Sequence, residues 1–299
     1  MLKIAWSPVY AHPLPEGHRF PMEKYNLIPE QLLYEGTIGR ENLFKPKPLD
    51  TASILLTHQK SYWEKLRLQQ LSPQEIRRMG FPMSPALVER EIIIGKGTEM
   101  CAHFALEHGI SINASGGTHH AFSDRGEGFC LLNDIGMAAN CLLRDNLAKR
   151  ILIVDLDVHQ GNGTAEIFRD EPRVFTFSMH CGANFPLEKA VSDHDVSLAA
   201  ASSDAAYLSA LAEALPYVLR AHAPDFVFYL SGVDILSTDK LGKLNVSRAA
   251  CKARDRMVFE TLRKKNLPVS VCMGGGYSHR LADIVEAHAN TYRLAQEIW

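Results

Sequence analysis

Short apolar runs rich in β-branched residues recur along the chain as LKIAW, ISINA, ILIVDLD, RVFTFSM, DFVFYLSG and PVSVCMGG, each with the length of a buried strand. Between them lie longer segments with helical spacing of apolar residues: EIIIGKGTEMCAHFALEHG, CLLNDIGMAANCLLRDNL, DAAYLSALAEALPYVLRAH and SRAACKARDRMVFETLRKK. Strands that alternate with helices in this way pair in parallel, under helices that cover both faces of the sheet. The sequence therefore reads as an α/β fold, an open and mostly parallel sheet flanked by helices on both faces. With 299 residues, 46% of them hydrophobic and 22% charged, the chain can bury one large core. No repeat, low-complexity tract or Gly/Ser-rich linker divides it, so a single domain over residues 1–299 is expected. The proline-rich segment 11–50 is expected to be irregular surface structure wrapping the sheet.

The polar residues of interest sit at the downstream ends of the apolar runs. ISINA leads to SGGTHHAFSD, ILIV to DLDVHQGNG, FVFYL to SGVD and VSVCM to GGGY. Open parallel sheets bind ligands in the crevice outside the carboxyl ends of their strands, so these loops are expected to converge on one site. Asp157 and His159 are two apart, and on an extended strand end their side chains project to the same side. Taken singly, each has a plainer reading, a helix-capping aspartate and a satisfied core histidine. Asp234, in the similarly placed SGVD, would add a second carboxylate. Two carboxylate oxygens and one imidazole nitrogen suit zinc, with iron(II) as a substitute, and leave positions open for water and substrate.

The pair His119-His120 follows Gly116 and Gly117, which allow a tight turn. Two histidines can take a proton from an attacking water and give one to a leaving group. Asp155 is positioned to orient one of the imidazoles. The glycines at 274–276 satisfy no phosphate-cradling pattern, and neither does GNG at 161–163. Their better use is to expose Tyr277, whose hydroxyl can donate a hydrogen bond to a developing oxyanion.

Composition excludes several classes of partner. The formal net charge is -2 and no run of five or more like charges occurs, so there is no electrostatic footprint for direct contact with nucleic acid or an anionic membrane. The densest basic segment, KARDRMVFETLRKKN at 252–266, interleaves charge with apolar residues and reads as a solvated helix face. The six cysteines form no C-x-x-C pair and no zinc-knuckle spacing, which points to a reduced, intracellular protein. MLKIAWSPVY reaches a proline before any signal-type stretch can form, and no run is long enough for a membrane span. A cytoplasmic chain is expected, with access to the nucleus if the host has one.

Taken together, GGTHHAFSD, GFCLLND, DLDVHQGNGT, SGVDILSTDKLG and GGGY occur in the order seen in the zinc-dependent histone deacetylase family. The chain resembles that family from HPLPEGHRFPMEKY to GGGY, and DRGEGFC, DLDVHQGNG and TDKLGKL look most like its class IV branch. The resemblance implies the single-domain arginase-deacetylase fold, zinc bound by Asp157, His159 and Asp234, proton transfer by His119 and His120, and carbonyl polarisation by Tyr277. It also implies a narrow tunnel for an acyl-lysine side chain, with backbone groups from Gly128 and Gly275 and aromatic walls from Phe129 and Phe185. A structural potassium ion is implied near Asp155, Asp157, His159, Ser178 and Met179.

Two departures within this resemblance carry information. Arginase-type relatives bridge two manganese ions with further carboxylates where this chain has Gly161 and Gly232, so one metal is expected. Most family members carry an aspartate behind the second histidine, whereas this chain has Asn162, which can orient His120 without stabilising its imidazolium. The implied reaction is hydrolysis of an Nε-acyl-lysine amide in a protein or peptide. The nearest rival is acetylpolyamine hydrolysis, which should need carboxylates at the tunnel rim, yet the expected rim segment FPMSPALVER is apolar until Glu89. An apolar rim favours long acyl chains or a protein surface, and class IV relatives are associated with fatty-acyl removal. A catalytically silent acyl-lysine-binding module is the rival from outside the enzymes, and the joint presence of the ligands, both histidines and Tyr277 argues against it.

Overall fold

In the computed structural model, which describes Met1 to Trp299, the apolar runs become the centre of one eight-stranded sheet. Its strands are β1 (Lys3–Ala5), β2 (Leu43–Phe44), β3 (Ile110–Asn113), β4 (Ile151–Asp155), β5 (Val174–Cys181), β6 (His194–Leu198), β7 (Phe226–Leu230) and β8 (Val269–Cys272). Their spatial order is β2-β1-β3-β8-β7-β4-β5-β6, and every pairing is parallel. The sheet is thus wholly rather than mostly parallel. The two edge strands were not visible as apolar runs. β2 has two residues, and HDVSL in β6 alternates between half-buried and exposed positions because an edge strand keeps one side in water.

The helices are α1 (Lys24–Tyr34), α2 (Thr51–Ile54), α3 (Lys60–Arg67), α4 (Pro73–Met79), α5 (Pro85–His108), α6 (Asp134–Arg144), α7 (Asn162–Ile167), α8 (Asp204–His222), α9 (Arg248–Lys264) and α10 (Leu281–Ile298). Period-two alternation in the central strands divides the core. Leu152, Val154, Val227 and Tyr229 pack with apolar residues of α8, α9 and α10. Ile151, Ile153, Phe226 and Phe228 face the other way and pack with α6. Helix starts follow local chemistry: Ser84, Ser203 and Ser247 each accept a hydrogen bond from the backbone N–H three residues on, and Pro85 supplies the first residue of α5. No helix is long and apolar enough to cross a membrane, and all six cysteines are buried and unpaired.

Three expectations need correction. The segment 11–50 is not merely irregular: it contains α1, with Pro29 inside it, and edge strand β2. Helical spacing from Cys130 does not start a helix there, because the Asn133 side chain accepts from Gly136 N–H and fixes the start of α6 at Asp134. The solvated face assigned to 252–266 hides two charges, since Arg254 and Asp255 are fully buried.

Strand register positions the site. Asn113 pairs with Cys272, Cys272 with Leu230, and Leu230 with Asp155, so the ends of β3, β8, β7 and β4 form one level row. The loops leaving that row are the ones that carry the histidine pair, Tyr277, Asp234 and Asp157.

Candidate active site

Beyond β4, Asp157 Oδ1 accepts from the backbone N–H of His159 at 3.0 Å and lies 3.0 Å from His159 Nδ1. Its Oδ2 accepts from Gly275 N–H at 2.8 Å. Beyond β7, Asp234 Oδ1 accepts from Val158 N–H at 3.0 Å. Asp234 Oδ2 lies 3.2 Å from His159 Nδ1 but has no hydrogen-bond partner, although it is fully buried. One donor atom from each of Asp157, His159 and Asp234 can be chosen so that all lie within 4.8 Å of one another.

The electrostatics of this trio ask for a cation. Burial, then repulsion from Asp157, pushes Asp234 up to about 7. Burial also opposes the charged form of Asp157, but the charge of His119 and the hydrogen bonds and charge of His159 hold it well below the carboxylate range. Burial opposes a charged His159, yet the hydrogen bond to Asp157, the nearby Asp234 carboxylate and the charges of both outweigh it and lift the imidazole to about 10. Buried carboxylates with an orphaned oxygen beside an imidazole nitrogen match the donor set of a divalent metal. The two glycines that stand where further carboxylates would be needed are crowded by the site's own side chains. A Cβ at Gly232 would meet Asp157 Oδ2 at 2.5 Å, and one at Gly161 would collide with Asp155 Oδ2.

The histidines reach this floor through a turn in which Gly116 and Gly117 take φ of 77° and 78°, a region that favours glycine. Asp134 fixes the turn from below, with Oδ1 accepting from the Thr118 N–H at 2.8 Å and the Thr118 hydroxyl at 2.6 Å. His119 Nδ1 is 2.6 Å from Asp155 Oδ2, and its Nε2 is 3.9 Å from Asp157 Oδ1. His120 Nδ1 is 2.6 Å from Asn162 Oδ1. The two rings stand 4.1 Å apart but differ in proton affinity. Burial opposes a charged His119, but the charges of Asp155 and Asp157 and the Asp155 hydrogen bond raise it to about 9. Burial and the charges of His119 and His159 push His120 well below its ordinary value, and the Asn162 amide only partly opposes them.

Tyr277 is set by Asp239, which accepts from Tyr277 N–H at 2.6 Å while its other oxygen accepts from the N–H groups of Leu241 and Gly242. The Tyr277 ring packs against Phe20 at 5.8 Å and Phe129 at 6.1 Å. Gly128 and Phe129 both have positive φ, 54° and 67°. For phenylalanine this costs on the order of 1–3 kcal/mol. The turn is held by Gly128 N–H to the Arg78 carbonyl at 3.2 Å and Phe129 N–H to the Met79 carbonyl at 2.7 Å. Phe185 stands perpendicular to the His120 ring at 4.9 Å. A cavity of about 480 Å³ is lined by Phe129, Phe185, Tyr277, both histidines and Gly275, with Asp157 and His159 at its floor. Ser178 is the register partner of Asp155, and its hydroxyl lies 3.1 Å from His180 Nδ1. Met179 is buried beside it.

Residues 18–292 match the family model of the histone deacetylase domain. The chain belongs to the histone deacetylase family. It is 43% identical over 296 residues to a protein of Picosynechococcus sp. described as uncharacterized, with 99% of each chain covered. It is 29% identical to Histone deacetylase 2 of Arabidopsis thaliana, covering 90% of this chain and 72% of that protein. To Histone deacetylase clr6 of Schizosaccharomyces pombe it is 30% identical, over 90% and 69% respectively. The fold matches an HDAC homolog complexed with SAHA at a TM-score of 0.82 with 27% identity, covering 99% of this chain and 82% of that one. An HDAC homolog from Aquifex aeolicus gives 0.82 with 25% identity, covering 97% and 82%. The arginase-deacetylase fold expected from the motifs is therefore the fold of this chain, and the family is one of hydrolases that act on amides.

In this chain the rim of the cavity is not where the sequence put it. Phe81 packs inside an aromatic cluster, 5.1 Å from Phe20 and 5.3 Å from Phe129, and the Ser84-Pro85 start signal carries the following residues into α5. From FPMSPALVER, Arg90 alone lines the cavity, and it is buried. The exposed lining residues are instead Arg19, Arg78, Ala183, Phe185, Leu187 and Lys243, with Glu127 and Leu241 half-buried beside them.

Sequence reading also missed the buried supports of the site. Lys24 donates from Nζ to the Gly274 carbonyl at 3.1 Å, and burial pulls it down to about 8 against the attraction of Asp234, Asp157 and Asp239. Arg254 pairs with Asp255 and donates to the carbonyls of Leu156, Ser231 and Gly232, next to the loops that carry Asp157 and Asp234. Asp255 also accepts from the hydroxyls of Tyr229 and Thr291. A signal for this pair existed: Arg254 and Asp255 fall four residues before Val258 and Phe259, in phase with the apolar stripe of α9.

Proposed function

We propose that this chain is a single-domain zinc-dependent hydrolase that removes acyl groups from Nε-acyl-lysine in proteins or peptides, with the acyl chain length, acetyl or longer, left to the test below. The observation that carries this reading is the orphaned Asp234 Oδ2 beside His159 Nδ1, next to a narrow aromatic cavity onto which both histidines and Tyr277 open. Zinc held by Asp157, His159 and Asp234, with iron(II) as a substitute, would supply Lewis acidity to the amide carbonyl and to an attacking water.

The chain's own groups do the rest. Phe129 and Phe185 flank the aliphatic stem of the lysine within the cavity. His120, its Nδ1 proton held by the Asn162 amide, presents a free Nε2 that accepts the proton of water. His119, held by the Asp155 carboxylate, carries a positive charge towards the reacting carbon and gives its proton to the departing lysine amine. The Tyr277 hydroxyl donates to the oxygen on which negative charge develops. Asp155, Asp157, His159, Ser178 and Met179 would offer carboxylate, carbonyl and hydroxyl oxygens to a potassium ion at the ends of β4 and β5.

The test is hydrolysis of lysine peptides bearing acyl chains from acetyl to myristoyl, with and without a chelator. Chelator-sensitive turnover is expected, and its chain-length optimum separates a deacetylase from a fatty deacylase. Tyr277→Phe should still bind the peptides but lose roughly 10²–10³ in kcat. Equal behaviour of parent and variant would favour the silent binding module. Absence of turnover on every peptide would favour acetylpolyamines.

A further inference from the structure

The cavity mouth carries a charge pattern that the proposed reaction does not use. Arg19, Arg78 and Lys243 are exposed and line it, against a single half-buried carboxylate, Glu127. The chain as a whole has net charge -2, so this local excess of positive charge is not a reflection of composition. Arg144, Arg173, Arg256 and Arg293 are each committed to a carboxylate elsewhere on the surface. Arg19, Arg78 and Lys243 have no such partner, and all three are tied to the segments that bear the aromatic walls, two by side chain and one by backbone. The Arg19 guanidinium lies 4.9 Å from the centroid of the Phe129 ring. Lys243 donates from Nζ to the Ala183 carbonyl at 2.8 Å, two residues before Phe185. The backbone of Arg78 supports the Gly128 turn.

Charge at this position has a definite target. An acyl-lysine side chain is a neutral amide and enters the slot without a charge of its own. The cations at the mouth can therefore address only what stands beside that lysine. In an extended peptide, neighbours within two positions lie about 7 Å or less away along the chain, inside the screening distance of about 10 Å at moderate salt. We infer that the mouth selects acyl-lysines whose neighbouring residues are acidic, and that Arg19, Arg78 and Lys243 determine this specificity. The inference rests on the acyl-lysine reading above. The same charges disfavour acetylpolyamines, whose ammonium groups would stand among three cations.

The test compares peptides with one acyl-lysine flanked by aspartates, by glutamines or by lysines, at about 20 mM and about 300 mM salt. Exposed charge pairs are each worth roughly 1.4- to 5-fold. The expected order of kcat/KM is therefore aspartate, glutamine, lysine, with an acidic-to-basic ratio of about tenfold or more at low salt, carried by KM and collapsing at high salt. Arg19→Glu and Arg78→Glu should each shrink that ratio, and the double variant should reverse it. Lys243→Gln removes charge without introducing any and should give a smaller change in the same direction. Equal rates on the three peptides, or a preference that neither salt nor these variants alters, would overturn the inference while leaving deacylation intact. No turnover on any of the three would instead remove the reading on which it rests.

Discussion

The floor and the mouth of the cavity are built on opposite plans. At the floor, Asp157, His159 and Asp234 are buried, negatively biased and held by loops from neighbouring strands whose ends stand level. Each oxygen but one has a named backbone partner. At the mouth, Arg19, Arg78 and Lys243 are exposed, positively biased and carried by segments that belong to no strand. Rigid sheet ends fix where bonds are broken, and exposed loops and the end of α4 set what is presented to them. Floor substitutions should therefore be costly and indifferent to salt, whereas mouth substitutions should be mild and salt-dependent.

The largest effect is expected from Asp234→Ala. It removes the carboxylate with the orphaned oxygen and should lower zinc affinity by more than the roughly 10–100-fold that losing a supporting partner costs. Competition with a chelating dye measures this directly, and activity should fall with it at low and high salt alike. A variant that bound zinc as tightly as the parent would break the floor's half of the comparison.

Next comes Arg254→Met, which leaves Asp255 buried with no cation beside it. Breaking a buried ion pair from one side costs about 3–5 kcal/mol. Chemical denaturation should show a loss of that size. Arg254→Lys, which keeps the charge but cannot reach several carbonyls at once, should fall between parent and Met variant. Because Arg254 holds the carbonyls before both carboxylate loops, zinc affinity should drop in the same order. Full zinc affinity in a destabilised Met variant would show that the sheet ends hold the ligands without this support.

The same contrast explains what could be read from the sequence. Asp157 and His159 were picked out by their two-residue spacing at the end of an apolar run, although β4 stops at Asp155 and both stand in bends beyond it, and Asp234 because its loop repeats the same strand-to-polar transition. The histidine pair and Tyr277 followed from the rule that crevices form at carboxyl ends. Arg19, Arg78 and Lys243 come from three distant segments with no common period, and only the folded chain brings them together. The rim was misplaced because FPMSPALVER was read for hydropathy, when its Ser-Pro step is a helix start that turns Phe81 inward. Lys24 and Arg254 were hidden by the ordinary rule that charges face water, which the carbonyls beside the site override.

Asn162→Asp sharpens the floor by changing one atom pair. His120 acts as a neutral acceptor, so the rate falls on the acid side as that imidazole gains a proton. A carboxylate in place of the amide, at the 2.6 Å position of Asn162 Oδ1, would favour the charged imidazole and raise its pKa. The sign is then fixed: the acidic limb of the kcat/KM profile moves to higher pH, while the rate above the limb changes little. An opposite charge at this range shifts a pKa by about 1–3 units, enough to resolve in a profile. An unmoved limb would mean that His120 is not the group whose protonation limits the rate.

The smallest effect is expected from Glu127→Gln, and it tests the mouth alone. Glu127 is the carboxylate that dilutes the mouth cations, and it sits on the turn that leads into Gly128 and Phe129. Removing its charge should raise kcat/KM for aspartate-flanked peptides by roughly 1.4- to 5-fold at low salt, lower it for lysine-flanked ones by a similar factor, and leave glutamine-flanked ones unchanged. High salt should erase all of it. A uniform loss on the three peptides would point to a different cause. The backbone of Glu127 pairs with that of Cys130 across the turn, so a uniform loss would mean that the side chain supports the strained Phe129 wall. In that case floor and mouth would share one structural element, and the division between a rigid chemical floor and an adjustable electrostatic mouth would fail at this turn.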